Sequence, residues 1–382
     1  MTAPASTAAA ENLEPRAPAP AAAGAPALAG PAAAGPEDRF QESTLSDEIP
    51  AEVLSQRICD FDLHIEGSPL EGVIERFRRE LEGRGLDRVR PVFYLSDEWG
   101  VPEGTVAIGV PFYLADERLR KVQYLKGGWL PGADAEDILR YLRHELGHVL
   151  NYAYRLHESQ EWTLLFGPMA RPYTDVFHAI PFSPDYVRHL PGNYAQKHPD
   201  DDWAETFALW LTPGLDWRQL YGDSPGALQK LEYCERTLAE LRGRDPQVHT
   251  VELMAEVHDL KLTIQEFYAA EVTAGGVPVP RSLVGDLKAI FAGVAPAAEG
   301  ARLGSAAVLL RRQKDALFNT VYRWTSADPG QFEPLLEHLI RVAQELGLSY
   351  PLTAREDVLR ELAGFLTTLA MNHVYRGTFF AR

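Results

Sequence analysis

Two histidines four residues apart in an amphipathic segment constrain this chain more than any other feature of its sequence. The stretch HELGH occupies residues 144–148, and Asp134 stands ahead of it as a candidate N-cap. The apolar residues of this segment recur at intervals of three and four, which predicts a helix: Ile138, Leu142, Leu146, Val149 and Ala153. Residues four apart share one helix face, with Cβ atoms about 6 Å apart. The two imidazoles are therefore expected side by side, with Glu145 about 100° further round the helix.

This arrangement predicts a zinc site. Imidazole nitrogens bind zinc at roughly 2.0 Å, so His144 and His148 are candidate ligands of one Zn²⁺ ion. A zinc ion lowers the pKa of its water toward about 7, and a nearby carboxylate takes the proton while hydroxide attacks a carbonyl. Glu145 is the candidate for that general base. The alternative is a solvated helix face that carries two histidines and no metal.

A catalytic zinc ion usually has three protein ligands and one open position. The longer motif with a third histidine is excluded, because Asn151 and Tyr154 occupy the positions of its glycine and histidine. A carboxylate shortly downstream is also missing, since residues 162–174 contain no Asp or Glu.

The stretch HPDDDWAETFALW, residues 198–210, is the best source of a third ligand. Asp201 and Glu205 are four apart on a predicted helix, so both can face the first helix. In such pairs one carboxylate binds the metal and the other holds the second N–H of a ligand histidine. The alternative is that the aspartates at this helix start serve as N-caps and complement the helix dipole.

The stretch 105–211 resembles the zinc-binding metallopeptidases of bacteria and, more distantly, the lethal-factor-like and Pro-Pro endopeptidase-like branch of the zincins. Those gluzincin-like families pair HExxH with a later helix of the form E-x-x-A-E or E-F-F-A, preceded seven residues earlier by a tyrosine. Here Tyr194 is followed seven residues on by Asp201. The resemblance implies that Asp201 is the third ligand, that Glu205 supports a ligand histidine, and that Tyr194 stabilises the oxyanion. The family ligand is normally Glu, and the shorter Asp201 leaves Asp202 and Glu205 as alternatives.

The fold class predicted is α+β, a zincin-like metallopeptidase domain followed by an all-α domain. Residues 59–85 have helical spacing, and residues 89–95 and 105–115 are rich in β-branched and aromatic residues. The strand at 105–115 is expected either at the sheet edge, where it would pair with a substrate backbone, or inside the sheet.

Three segments make up the predicted domain organisation. Residues 1–45 are rich in Ala, Pro and Gly and are expected to form a disordered tail. Residues 46–224 form the metallopeptidase domain. Residues 225–382 form an α-helical domain, with helical spacing in segments such as 251–272, 306–324 and 332–346.

The charge and cysteine content limit the partners. A net charge of −17 argues against nucleic acid and against anionic membranes. Two cysteines form no disulfide framework, and neither a transmembrane span nor a signal peptide is apparent, so a cytoplasmic location is expected.

Together these features predict a zinc-dependent peptidase acting on a peptide or protein substrate. The alternative is a non-catalytic zincin-fold module with structural zinc, whose helical domain binds a protein partner. Four histidines between the motifs are expected to be structural or solvent-facing: His157, His178, His189 and His198.

Overall fold

The structure is a computed structural model. It describes residues 49–127, 130–174, 177, 179–273, 283–293, 302–327 and 329–376. The predicted tail at 1–45 and His178 lie outside these ranges. Among the described residues, no helix combines the length and apolar character needed to span a membrane.

The first part of the chain surrounds a small sheet with helices. Its strands are β1 (Val92–Ser96) and β2 (Ala107–Pro111). Its helices are α1 (Ala51–Ser55), α2 (Pro69–Arg84), α3 (Glu117–Val122), α4 (Ala135–Tyr154), α5 (Gln160–Phe166), α6 (Pro199–Leu211), α7 (Trp217–Leu220), α8 (Pro225–Leu241) and α9 (Ile264–Thr273). Helices with a small parallel sheet confirm the mixed α+β class.

The two strands run parallel, with Val92 opposite Ala107. On the far side of β2, Gly109 exchanges backbone hydrogen bonds with Gly100, with N–O distances of 2.8 and 3.4 Å. Backbone of the same chain, at Gly100, therefore pairs with β2 at Gly109. The sequence left open whether this strand would lie at the sheet edge, paired with a substrate backbone, or inside the sheet. The strand is also shorter than predicted, because residues 112–115 form a 3-10 turn.

Helix α4 forms as the sequence predicts. The Asp134 side chain caps it by accepting a hydrogen bond from the backbone N–H of Asp137 at 2.9 Å. The helix ends at Arg155, which adopts a left-handed conformation with φ 52°. Its apolar face packs into the core.

Helices α4 and α6 make the central helix–helix contact. Gly147 of α4 faces Ala204 of α6 so closely that a Cβ on Gly147 would lie 2.6 Å from the Ala204 Cα. The indole N–H of Trp203 donates to the Gly147 carbonyl at 2.8 Å. The small residues thus let the two backbones approach, and the hydrogen bond fixes their register.

The rest of the chain has a second hydrophobic core. Its elements are α10 (Leu283–Gly293), β3 (Leu303–Ser305), α11 (Ala306–Arg312), α12 (Lys314–Thr325), α13 (Pro329–Glu345), β4 (Ser349–Pro351) and α14 (Arg355–Arg376). The first core runs as far as Tyr268 and the second begins at Leu283. The cores do not divide at residue 225, the predicted start of the helical domain, because α8 packs against α6.

Two details of the predicted helical half are wrong. Strands β3 and β4 form an antiparallel pair, so the region is not purely helical. The helix predicted over 251–272 begins only at Ile264. The residues before it run alongside the N-terminal segment, where the N–H groups of Ile58 and Cys59 donate to the carbonyls of Leu262 and Leu260 at 2.9 Å. These tertiary hydrogen bonds outweigh the helical spacing.

Candidate metal centre

The two histidines of α4 face one another. Their Nε2 atoms are 3.1 Å apart; the His144 ring is buried, and the His148 side chain is 12% exposed. Asp201, in the first turn of α6, brings its Oδ1 atom to 3.7 Å from His144 Nε2 and 3.6 Å from His148 Nε2. Three possible ligand atoms from two helices therefore converge on one point.

These residues fit a metal ion. Tetrahedral bonds of the length that zinc makes to N and O place neighbouring ligand atoms about 3.3 Å apart, close to the three separations seen. The Oδ2 atom of Asp201 is buried and has no hydrogen-bond partner among the described residues. A buried carboxylate oxygen without a partner is costly, and a cation at this point would remove that cost. The group formed by His144, His148 and Asp201 could therefore hold a metal ion.

A carboxylate lies behind each imidazole. His144 Nδ1 is 2.9 Å from Glu205 Oε1, and His148 Nδ1 is 2.8 Å from Asp200 Oδ2. Both Nδ1 atoms are thereby assigned the proton, and both Nε2 lone pairs point toward Asp201. Two lone pairs 3.1 Å apart repel one another unless a proton on one ring or a metal ion between the rings removes the repulsion. With both rings neutral, this arrangement favours metal binding.

The field in this pocket favours positive charge. Burial lowers the pKa of His144, but hydrogen bonds with Asp201 and Glu205 outweigh it and raise the pKa to about 10. For His148 burial acts in the same direction, and the Asp200 carboxylate reverses it, so its pKa is also raised.

The two supporting carboxylates are themselves held firmly. Glu205 Oε2 accepts the backbone N–H groups of His189 and Leu190, each at 2.9 Å. Burial would raise the pKa of Glu205, but its hydrogen bond with His144 and these contacts lower it. The imidazole of His144 is therefore locked through α6 to the segment before Tyr194.

Asp200 accepts hydrogen bonds from Asn151 Nδ2 and from the Tyr152 hydroxyl, each at 2.5 Å. Burial acts to raise its pKa, but His148, Tyr152 and Asn151 outweigh it and lower the pKa to about 2. Asp200 therefore remains ionised and fixes the ring of His148.

Glu145 lies beside the three possible ligands and is buried, with 5% of its surface exposed. Burial raises the pKa of its carboxyl, and the charges of Asp201 and Glu98 raise it further, while His144 and His148 oppose the shift. Within the described residues its carboxylate makes no hydrogen bond, so both of its oxygens remain able to accept one.

Tyr194 packs against the ring of His144. Its ring centroid is 5.4 Å from that of His144, in an edge-on arrangement. Burial raises the pKa of the phenol well above its ordinary value, and the Asp201 charge adds to the shift. The hydroxyl therefore remains protonated and is a hydrogen-bond donor.

The turn that carries Tyr194 is held by the C-terminal half of the chain. Asn193 has φ 55° and is buried, and its Nδ2 donates to Ser326 Oγ at 2.9 Å. The Tyr322 ring of α12 lies against Gly192, where a Cβ would be 2.5 Å from the Tyr322 Cζ. Only glycine fits at this position, since its φ is also 85°.

Asp202, one of the alternative third ligands, points away from the histidines. Its Oδ2 lies 2.6 Å from Lys230 Nζ on α8, and Lys230 also donates to the Asp185 carbonyl at 2.8 Å. Burial raises the pKa of Asp202 to about 7, although Lys230 opposes the shift.

Glu205, the other alternative, contacts the Nδ1 rather than the Nε2 of His144. The three neighbouring aspartates of α6 thus have three different partners, and the N-cap itself is His198.

The described histidines between the motifs have structural contacts. His189 Nε2 donates to the Arg140 carbonyl at 3.0 Å, and burial lowers its pKa to about 4. His198 Nε2 donates to the Arg171 carbonyl at 2.8 Å. His157 lies 3.2 Å from the Asn151 side chain.

Sequence reasoning missed Asp200 and Lys230. The signal for Asp200 was the pair Asn151 and Tyr152, which follow His148 by three and four residues and so share its helix face. Nothing local connects Lys230 with Asp202, because 28 residues separate them.

Comparisons with protein-family models, with curated proteins and with solved structures gave no match.

Proposed function

We propose that this protein is a zinc-dependent peptidase with a zincin-like catalytic domain. One observation carries the proposal: the Glu145 carboxylate, which has no hydrogen-bond partner among the described residues, lies beside three converging ligand atoms, and the Tyr194 phenol packs against one of the two histidines. A purely structural metal site needs neither a free carboxylate nor a phenol at its border.

Zinc suits this group of ligands. Two neutral imidazoles and one carboxylate are the donor types of catalytic zinc sites, which keep a fourth position for water or substrate. When bound, the ion supplies Lewis acidity, which lowers the pKa of a water molecule and polarises a substrate carbonyl. His144, His148 and Asp201 are the residues that would hold it.

Glu145 acts as the general base in this proposal. Its raised pKa makes it a stronger proton acceptor than an exposed glutamate, which suits the transfer of a proton from water. The same carboxyl group then delivers that proton to the leaving amine.

Tyr194 stabilises the transition state. As the carbonyl carbon becomes tetrahedral, negative charge develops on its oxygen, and a fixed hydroxyl donor is worth more there than in the ground state. The raised pKa keeps the phenol protonated for this role. The spacing of HExxH, tyrosine and the Asp201/Glu205 pair supports the same assignment through its resemblance to the gluzincin-like peptidases.

The test is cleavage of a peptide library by wild type and by Glu145→Gln. The wild type should cleave a subset of peptides and lose this activity with a zinc chelator, while the variant should bind zinc at unchanged stoichiometry and cleave none. Equal cleavage by both proteins would refute the mechanism. Zinc bound to both without any cleavage would favour the non-catalytic module, and zinc near zero in both wild type and His144→Ala would exclude a metal site.

A further inference from the structure

Lys197 places a positive charge next to the candidate oxyanion residue. It lies three residues after Tyr194, and its Nζ atom is 3.4 Å from the Tyr194 hydroxyl. The same ammonium is 4.4 Å from the ring centroid of Tyr173 and 5.1 Å from that of Tyr194. No carboxylate in the part of the chain that the structure describes lies within ion-pair distance of it.

Other contacts build this position into the fold. The Arg171 guanidinium donates to the carbonyls of Gln196 and Lys197, and His198 donates back to the Arg171 carbonyl. These contacts fasten the segment of Tyr173 to the segment of Lys197. Tyr173 nevertheless remains 54% exposed and Lys197 is half-buried, so the pair lies at the surface of the described part of the chain.

The charge of Lys197 is held but not neutralised. Aromatic faces attract an ammonium group without removing its charge. Of the three N–H donors of a lysine, the Tyr194 hydroxyl engages one, which leaves donors for a ligand. Among the described residues, Lys197 therefore places a positive charge without an acidic partner beside the candidate metal centre.

We propose that Lys197 and Tyr173 form a carboxylate-binding subsite of the proposed peptidase. The inference rests on the proposed function, because Tyr194 would contact the scissile carbonyl. A carboxylate bound to Nζ, 3.4 Å from that phenol, then belongs to a residue adjoining the scissile bond. The preferred substrates are peptides with an acidic side chain or a free C-terminal carboxylate at that residue, and the Tyr173 ring packs against its aliphatic part.

Matched peptides separate the two sources of the carboxylate. Each peptide is made with Glu or Gln on either side of the scissile bond, and with a free or an amidated C-terminus. The proteins are wild type, Lys197→Met, Lys197→Arg and the control Lys261→Met, which alters an exposed lysine outside the site.

The expected wild-type preference for the carboxylate-bearing peptide is about tenfold or more in kcat/KM, equivalent to about 1.4 kcal/mol. Lys197→Met should abolish that preference, so that its kcat/KM falls about tenfold more on the carboxylate-bearing peptide than on the neutral counterpart. Lys197→Arg should restore part of the preference, and Lys261→Met should match wild type. A Glu/Gln effect identifies a side chain as the source, and an acid/amide effect identifies the C-terminus. Equal loss on charged and neutral peptides would overturn the subsite, since Lys197 would then only position Tyr194.

A binding measurement tests the subsite independently of the proposed peptidase activity. Fluorescence anisotropy compares labelled Glu and Gln peptides on zinc-loaded Glu145→Gln, with and without Lys197→Met. Tighter binding of the Glu peptide that depends on Lys197 supports the subsite even if no peptide is cleaved, an outcome that would refute the peptidase proposal alone. Equal affinity for both peptides would overturn the subsite whether or not the wild type is active.

Discussion

Replacing Gly147 with alanine should force α4 and α6 apart and weaken metal binding. The added Cβ would lie 2.6 Å from the Ala204 Cα, so the backbones must separate by about 0.8 Å to reach the 3.4 Å of an ordinary contact. Overpacking of this kind costs about 1–3 kcal/mol, against a gain of about 1 kcal/mol from the higher helix propensity of alanine. The shift also carries Asp201 away from the histidines, and metal–ligand bonds tolerate only about 0.2 Å.

Gly83 of α2 provides the matched control, because a Cβ there meets nothing within 4 Å. Gly83→Ala should stabilise the protein by up to about 1 kcal/mol, so the two variants should differ by about 1–3 kcal/mol in free energy of unfolding. Urea denaturation without metal measures this difference.

Zinc affinity, measured by competition with a chromophoric chelator, should fall at least about tenfold in Gly147→Ala and stay unchanged in Gly83→Ala. If Gly147→Ala were as stable as Gly83→Ala and bound zinc as wild type does, the close contact would not set the geometry of the site.

Three further variants test the site and its support. Asp201→Asn should no longer retain stoichiometric zinc after dialysis, and retention near one equivalent by atomic absorption would exclude it as a ligand. Glu205→Gln should lower zinc affinity about 10–100-fold by loosening His144, so an unchanged chelator competition curve would contradict its supporting role. Lys230→Met should lower the free energy of unfolding by about 3–5 kcal/mol because it leaves Asp202 buried and unpaired. Adding Asp202→Asn should recover part of that loss, and strictly additive losses in urea denaturation would argue against the ion pair.

Local sequence patterns were sufficient to predict the structure where a single helix determines the geometry. The cap at Asp134 and the face shared by His144 and His148 follow from helix periodicity alone. The choice of Asp201 as the third ligand came from the resemblance to the gluzincin-like peptidases, and the structure brings this carboxylate to the histidine pair.

Contacts between distant segments could not be predicted in the same way. Three consecutive aspartates look alike in sequence, yet one faces Lys230 and another supports His148, because α8 and the end of α4 reach them from different directions. The same limit explains the segment before Ile264. Its helical spacing is real, but pairing with the backbone at residues 57–59 provides its hydrogen bonds instead.

The buried hydrogen bond between Asn193 and Ser326 has a practical consequence for anyone who trims this protein. Truncation at residue 224 would remove Ser326 and the Tyr322 ring that covers Gly192. The turn at Gly192 and Asn193, next to Tyr194, would lose both of these contacts. Such a fragment would still contain the metal-ligand candidates and Glu145, but the turn next to Tyr194 would be held less rigidly. Low turnover by a shortened protein would therefore say little about the chemistry of the intact chain.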